Sequence, residues 1–340
     1  MRDNSSAIVP VRPVLSPDVR HGVAATEPTL PEPAPTGPGP AKRARSGLGW
    51  GLLGVTAFSL TVPLTRLAVE GLPPLFIGSG RAVVAALLAA AALIVTRQRL
   101  PRGGQWMRLA VVAGGIVIGF PMLTSFALTA ADASHGAVVI ALLPAATATM
   151  AVLRGRERPQ RAFWIATAAG ALAATAFAFL QSGGFGQVHW TDVLFFGAVL
   201  AAAVGYAEGG LLARELGAWQ TVSWALVIAS PLMLVLMAVS VSGQQPGTIV
   251  PWATPVQWAA FAYLGVISMF LGFFAWYHGL AIGPMARVSQ VQLAQPVMSI
   301  CWAALLLGEH LTWATVIGGL AVIACAGMAV RVRLNRPAAT

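Results

Sequence analysis

From about residue 48 onward the chain alternates long apolar runs with short polar joints. One crossing of a bilayer by a helix takes about 20 predominantly apolar residues. On that measure the sequence predicts ten membrane helices. The first five fall at about 48–69, 73–95, 107–129, 133–153 and 162–181, and the second five at about 191–213, 219–242, 256–279, 285–307 and 311–331. The runs are rich in Ala, Leu and Gly and lack the alternating polarity of barrel strands, which points to helices. The joints are short except near 181–191 and 242–256, which are polar and carry Gly or Pro, and none is long enough to hold a folded domain.

The pattern occurs twice. His278 to Val330 reads as two helices back to back, the first interrupted by Gln295-Pro296 and the second set off by the polar joint Gly308-Glu309-His310. Ala127 to Thr175 repeats this plan at the same spacing, with Pro144 in the place of Pro296 and Glu157 in that of Glu309. Five spans per half is an odd number, so the second half enters the membrane from the opposite side. The expected fold is therefore an all-α membrane protein of ten transmembrane helices, arranged as two inverted five-helix repeats. The expected divisions are a disordered Pro-rich tail at 1–46, repeats at 47–183 and 184–333, and a short tail at 334–340.

Composition agrees. Of 340 residues, 57% are hydrophobic and 9% charged, with a mean hydropathy of +0.76, whereas soluble domains carry about 25% charged residues. The net charge of +10 does not indicate nucleic acid, because the arginines sit in alternate joints and form no basic domain with interleaved aromatics. With the N-terminus placed inside, the inner segments hold Lys42, Arg43, Arg45, Arg97, Arg99, Arg102, Arg108, Arg154, Arg156, Arg158, Arg161, Arg214, Arg287, Arg331, Arg333 and Arg336. The outer joints hold Arg66 with the acids Glu70, Asp132, Asp192 and Glu309. This is the positive-inside pattern with both termini cytoplasmic, and Trp106, Trp164, Trp190, Trp219, Trp258 and Trp313 lie near span ends as interfacial Trp should. Cys301 and Cys325 fall inside spans without ligand-like spacing. The first 46 residues hold nine of the 23 prolines and no apolar segment of the kind a secretory signal needs.

Three features together carry a resemblance. They are the run Ala281-Ile-Gly-Pro with Pro296 downstream, then Leu307-Gly-Glu-His-Leu311, then Gly318-Gly319. In the first half, Arg81-Ala-Val-Val-Ala-Ala-Leu-Leu and Leu143-Pro144 add to it. In this combined order over about 48–331 the chain resembles the drug/metabolite transporter superfamily, in its ten-helix form with two EamA-type halves. It departs from the pattern at Arg156-Glu157, where the second half has Gly308-Glu309. The resemblance implies a basket of helices around a central cavity, lined mainly by helices 1, 3, 4, 6, 8 and 9. It also implies a bacterial inner-membrane protein that exports small metabolites, often amino acids.

The residues themselves nominate a polar path. Ser289, Gln292, Gln295 and Ser299, three or four apart, share one face of helix 9. In a helix otherwise made of Val, Leu, Met and Ile that face looks at protein or water; it either lines the path or forms an interhelical seam. Pro63, Pro121, Pro144 and Pro296 sit within spans, where each removes a donor and frees a carbonyl one turn earlier. Glu208 is the acid well inside a span, flanked by Gly205, Gly209 and Gly210. It reads either as a proton carrier or amine partner on the path, or as a structural acid near the inner interface with Arg214 close by. Arg81 either holds a carboxylate or is structural, its stem snorkelling. Tyr206, Trp224 and Tyr277 are further solute-binding candidates, with His278 at an inner helix end. The positions facing the glutamines from the other half, near Ile140 and Leu143, are apolar, so the cavity should be polar on one wall and greasy on the other.

No nucleophile elbow, phosphate loop or metal-ligand cluster appears, so neither an enzyme nor a metal or cofactor protein is expected. The function expected is secondary transport by alternating access, exporting amino acids or related metabolites, with proton coupling as one option. Uptake or drug efflux by the same fold, or a receptor or scaffold using the Pro-rich tail, are the alternatives. The partners expected are a small solute and the lipid bilayer, with no nucleic acid, in a monomer or homodimer.

Overall fold

The computed structural model describes residues 40–155, 161–181, 189–243, 253–282 and 291–334. Ten helices cover the predicted spans among these residues: α1 (Ser46–Val69), α2 (Pro74–Val95), α3 (Gln105–Ala127), α4 (Ala133–Arg154), α5 (Arg161–Gln181), α6 (Trp190–Leu216), α7 (Ala218–Ser242), α8 (Pro255–Ile282), α9 (Val291–Leu307) and α10 (Trp313–Leu334). Seven of them are long and apolar enough to cross a membrane, and α9 and α10 carry shorter apolar stretches. The described residues contain no strand. The predicted tail lies outside the described residues as far as position 39, as do Glu157, Arg287, Ser289 and positions 335–340. The backbone is helical from Pro40, so the basic flank expected to end an irregular tail is helix continuous with α1. Pro at a first helical position, followed by Ala, Lys and Arg, favours that start.

Small residues set the packing. A side chain on Gly54 would meet the backbone of Trp276 at 2.9 Å, and one on Gly279 would meet Gly47 and Gly51 at 2.8 Å. The backbones of α1 and α8 therefore touch, as close membrane packing through glycine allows. The same contact recurs between α3 and α6, where Gly115 lies against Ala201 and Gly205 against Ile116. The remaining main pairs are α2 with α7, α5 with α10, α4 with α6, and α1 with α9. Each pair joins one helix of the first five to one of the second five, in a pattern that is unchanged when the two sets are exchanged.

The irregular segments pair in the same way. α3 carries a π-helical stretch at Ala113–Gly119 and α8 one at Leu264–Leu271. α4 breaks between Ile140 and Leu143, just ahead of Pro144. α9 opens with a 3₁₀ turn, Val291–Ala294, and becomes α-helical at Gln295, just ahead of Pro296. α1 is interrupted at Leu60, one turn before Pro63. Leu87, Ile94, Leu172, Leu305 and Trp313 point outward as an apolar surface suited to lipid.

The glycine contacts give a matched pair of variants. Gly115→Ala should destabilise the protein by about 1–3 kcal/mol, the usual cost of overpacking, because the added methyl meets Ala201 and Gly205 backbone. Gly114→Ala, which meets nothing within 4 Å, should leave the melting temperature in detergent unchanged. Equal melting of both variants would show that α3 and α6 do not pack through this contact.

Candidate functional site

A cavity lies between the two sets of helices. Thr61 and Phe58 of α1, Arg81 of α2, Pro121 of α3, Tyr206 of α6, Ser268 and Phe273 of α8 and Gln295 of α9 line it. A second, smaller cavity adjoins it at Gln295 and runs between α4 and α9. One wall of the second cavity is Gln292, Gln295 and Ser299, and the other includes Ala137, Ile140 and Leu143. Pro144 and Pro296 sit on opposite walls. The polar and greasy walls expected from the sequence are thus present. Helix 2 joins the expected lining helices through Arg81.

The unsatisfied groups define what the cavity can bind. Arg81 is 1% exposed, and its Nε and Nη2 have no hydrogen-bond partner. Gln292 Nε2 and Gln295 Oε1 are likewise buried without partners. A buried polar group left unpaired costs about 1–3 kcal/mol, and more when charged. The site therefore presents a cation and an amide donor for an anion, and an amide acceptor for a cation. Thr61 Oγ1 and Ser268 Oγ are already matched to each other at 2.7 Å. Each cavity is small, ≈ 30 Å³ for the first and ≈ 10 Å³ for the second. The larger is far below the roughly 300–1,000 Å³ of ordinary ligand pockets, so any solute would have to part the helices to enter.

Ser299 belongs to a seam. Pro63 has no N–H, which leaves the Ser59 carbonyl without its helical donor. Ser299 Oγ donates to that carbonyl at 2.7 Å, and Trp302 Nε1 donates to Ser59 Oγ at 3.1 Å. The polar face of α9 thus divides: Ser299 ties α9 to α1, while Gln292 and Gln295 keep atoms free.

Both ends of the bundle are tied by polar contacts. At the basic end Glu208 of α6, nearly fully buried, accepts from Arg108 Nε of α3 on one oxygen and from Arg154 Nη2 of α4 on the other. Arg108 Nη1 also reaches Glu215 at 2.5 Å. Glu208 lies outside the lining of both cavities. Its partners are not the Arg214 suggested by sequence proximity, because six residues along a helix put two side chains on different faces. At the acidic end Gly308, at φ 66°, ends α9 in the left-handed conformation that glycine tolerates. The next residue then turns back, so that Glu309 accepts from the N–H groups of Ala133 at 2.8 Å and Ser134 at 2.9 Å. A carboxylate on the first free N–H groups of a helix also complements its dipole. His135 Nε2 and Asp192 Oδ1, 2.6 Å apart, join α4 to α6 nearby.

Two aromatic candidates sit elsewhere. Trp224 is near the basic end of α7, edge-on to Trp106 at 6.0 Å, too close to the start of its helix to reach the central cavity. Tyr277 is fully buried against Gly209, with its hydroxyl unpartnered, and packs tilted against Phe273; it backs the cavity wall without lining it. Tyr206 does line the cavity. From the sequence Arg108 and Arg154 are legible only as topology signals, and Glu309 as a mark of the repeat, of sidedness and of the family resemblance. Their positions at helix ends carried no mark of the long-range partners they take.

Removing the charge at Glu208 tests the basic-end tie. Glu208→Gln should lower stability by about 1.5–3 kcal/mol, the usual worth of hydrogen bonds to charged groups. Amide hydrogen exchange around Arg108 and Arg154 should rise. Unchanged exchange there would mean that the carboxylate does not hold α3 and α4 to α6.

The EamA-like transporter family matches this chain at residues 45–179 and again at 189–331. An uncharacterised transporter of Bacillus subtilis (strain 168), YdeK, is 42% identical over 293 residues, which is 83% of this chain and 97% of the relative. A solved crystal structure aligns over 86% of this chain and 100% of its own with a TM-score of 0.56; at 19% identity it supports the fold alone. With ten apolar helices in a tandem repeat around a polar-lined cavity, this chain is a multi-pass membrane transporter and belongs to the EamA-like transporter family.

Proposed function

We propose that this transporter exports amino acids, or closely related zwitterionic metabolites, by alternating access between two inverted five-helix repeats. One observation carries the choice of solute: unpartnered nitrogens of the buried Arg81 and the unpartnered acceptor Gln295 Oε1 belong to residues lining one small cavity. Arg81 takes the carboxylate, as guanidinium geometry favours, and Gln295 accepts from the ammonium. Gln292 Nε2 serves the adjoining chamber. Phe58, Met269, Phe273 and Tyr206 form an apolar surround for an aliphatic or aromatic side chain. The solute supplies partners to groups that otherwise stay unpaired, so binding and closure of the cavity favour each other.

The inverted arrangement is supported by the odd number of spans per half and by the matched irregularities of α3 with α8 and α4 with α9. Two similar halves in opposite senses make the two open shapes close in energy. The basic end lies in the cytoplasm of a bacterial inner membrane by the positive-inside rule. In this reading the Glu208 cluster latches the inner side and the Glu309 and His135–Asp192 contacts latch the outer side. Each opening releases one set while the other holds. The direction, export, follows the family likeness, and proton coupling is the drive proposed.

Purified protein in liposomes should exchange a labelled pool of amino acids. Arg81→Gln should cut exchange of carboxylate-bearing solutes by more than about tenfold, the factor that one lost 1.4 kcal/mol contact produces, and Gln292→Ala should reduce it less. Lack of exchange with any amino acid would sink the solute assignment and move the search to other metabolites and drugs. An external pH below the internal one should speed efflux if entering protons are exchanged for the leaving solute, and a rate indifferent to the gradient would remove protons from the mechanism.

A further inference from the structure

At the basic end the α2–α3 loop and the start of α7 enclose a third pocket, of ≈ 440 Å³, that shares no lining residue with the two central cavities. Arg97, Arg99, Arg102 and Gln98 line it from the loop, and Gln220 and Trp224 from α7. Glu215, the acid in the lining, is engaged by Arg108. Three arginines therefore line one concave space, and among the described residues none of them has an ion-pair partner.

Arg97 adds a separate observation. α2 ends in a Schellman turn, with Gln98 N–H bonded to the Leu93 carbonyl and Arg97 N–H to the Ile94 carbonyl, each at 3.0 Å. The residue at that corner must be left-handed, and glycine is the usual occupant. Here it is Arg97, at φ 49°. Strain kept at one residue is a pointer to function, and the strained residue is one of the three cations of the pocket. Gln220 supplies a third clue. Its Nε2 donates to Gln98 Oε1 at 3.3 Å, while its Oε1 is buried without a partner and so suits a hydroxyl donor. Trp224 lies edge-on to the exposed Trp106, an amphipathic wall of the kind found at the headgroup level.

We propose that this pocket binds the phosphoglycerol headgroup of an anionic phospholipid. The arginines hold the phosphate, the Gln220 amide oxygen takes a glycerol hydroxyl, and Trp106 borders the acyl region. In the orientation proposed above, the pocket opens on the cytoplasmic leaflet, where such lipids meet basic residues. A bound headgroup would clamp the α2–α3 loop of the first repeat to α7 of the second.

The test is native mass spectrometry of the full chain, delipidated in detergent and titrated with phosphatidylglycerol or, for comparison, phosphatidylcholine. It needs no transport assay, so its outcome is separate from that of the solute assignment. One phosphatidylglycerol should be retained per chain, and the double variant Arg99→Gln with Arg102→Gln should bind it about 30-fold more weakly, at the usual worth of basic residues near a membrane. Arg97→Gly should melt no lower than the parent yet also bind more weakly, which separates binding from folding. Equal retention of both lipids, or undiminished phosphatidylglycerol binding in these variants, overturns the proposal. Displacement of the lipid by equimolar glycerol phosphate also overturns it and would assign the pocket to a soluble phosphate.

Discussion

Inside a bilayer no water is available for the backbone, so every carbonyl that a helix fails to satisfy must find its donor within the protein. This constraint decides where the transporter can bend. Prolines in α1, α3, α4 and α9 each remove an N–H from a span, and the backbone departs from regular helix just ahead of each. At α1 the cost is met across the fold: Ser299 of α9 supplies the hydrogen bond that Pro63 withholds from Ser59. A kink in one repeat is thus held by a hydroxyl from the other. Bending and assembly are not independent, because straightening α1 would leave the Ser299 hydroxyl without its acceptor.

The same constraint makes the close helix contacts informative. Lipid tails are as apolar as leucine, so helices associate through tight packing and hydrogen bonds. Gly54 and Gly279 bring α1 and α8 together, and Gly115 and Gly205 bring α3 and α6 together. Each contact lies near a bent or π-helical stretch. A rigid point beside a bendable one is a natural hinge geometry, and the structure contains it in two of the half-to-half pairs, α1 with α8 and α3 with α6.

Polar residues are sorted by depth. At each end one acid is firmly paired, Glu208 with two arginines and Glu309 with helix N–H groups. In the middle Arg81, Gln292 and Gln295 are buried with unpartnered atoms. Charge at membrane depth is expensive, and it is these central groups that the proposed solute would satisfy.

The sequence by itself determined the helices, the twofold repeat and the gathering of basic residues into alternate joints, though not the start of the first helix, which runs on from Pro40. All of these rest on local hydropathy and helical period, which neighbouring residues set without reference to the rest of the chain. It also placed Gln292, Gln295 and Ser299 on one buried face and put the breaks beside Pro144 and Pro296. What it left open was partnership. Glu208 meets Arg108 and Arg154, 100 and 54 residues away, Glu309 caps a helix 176 residues upstream, and Ser299 reaches back 240 residues to Ser59. Only the tertiary structure separates Ser299, a seam, from the two glutamines, and takes Trp224 away from the cavity that Arg81 joins. A residue's place on its own helix is fixed by its period, but which helix stands opposite is fixed by how the small-residue faces of all ten pack.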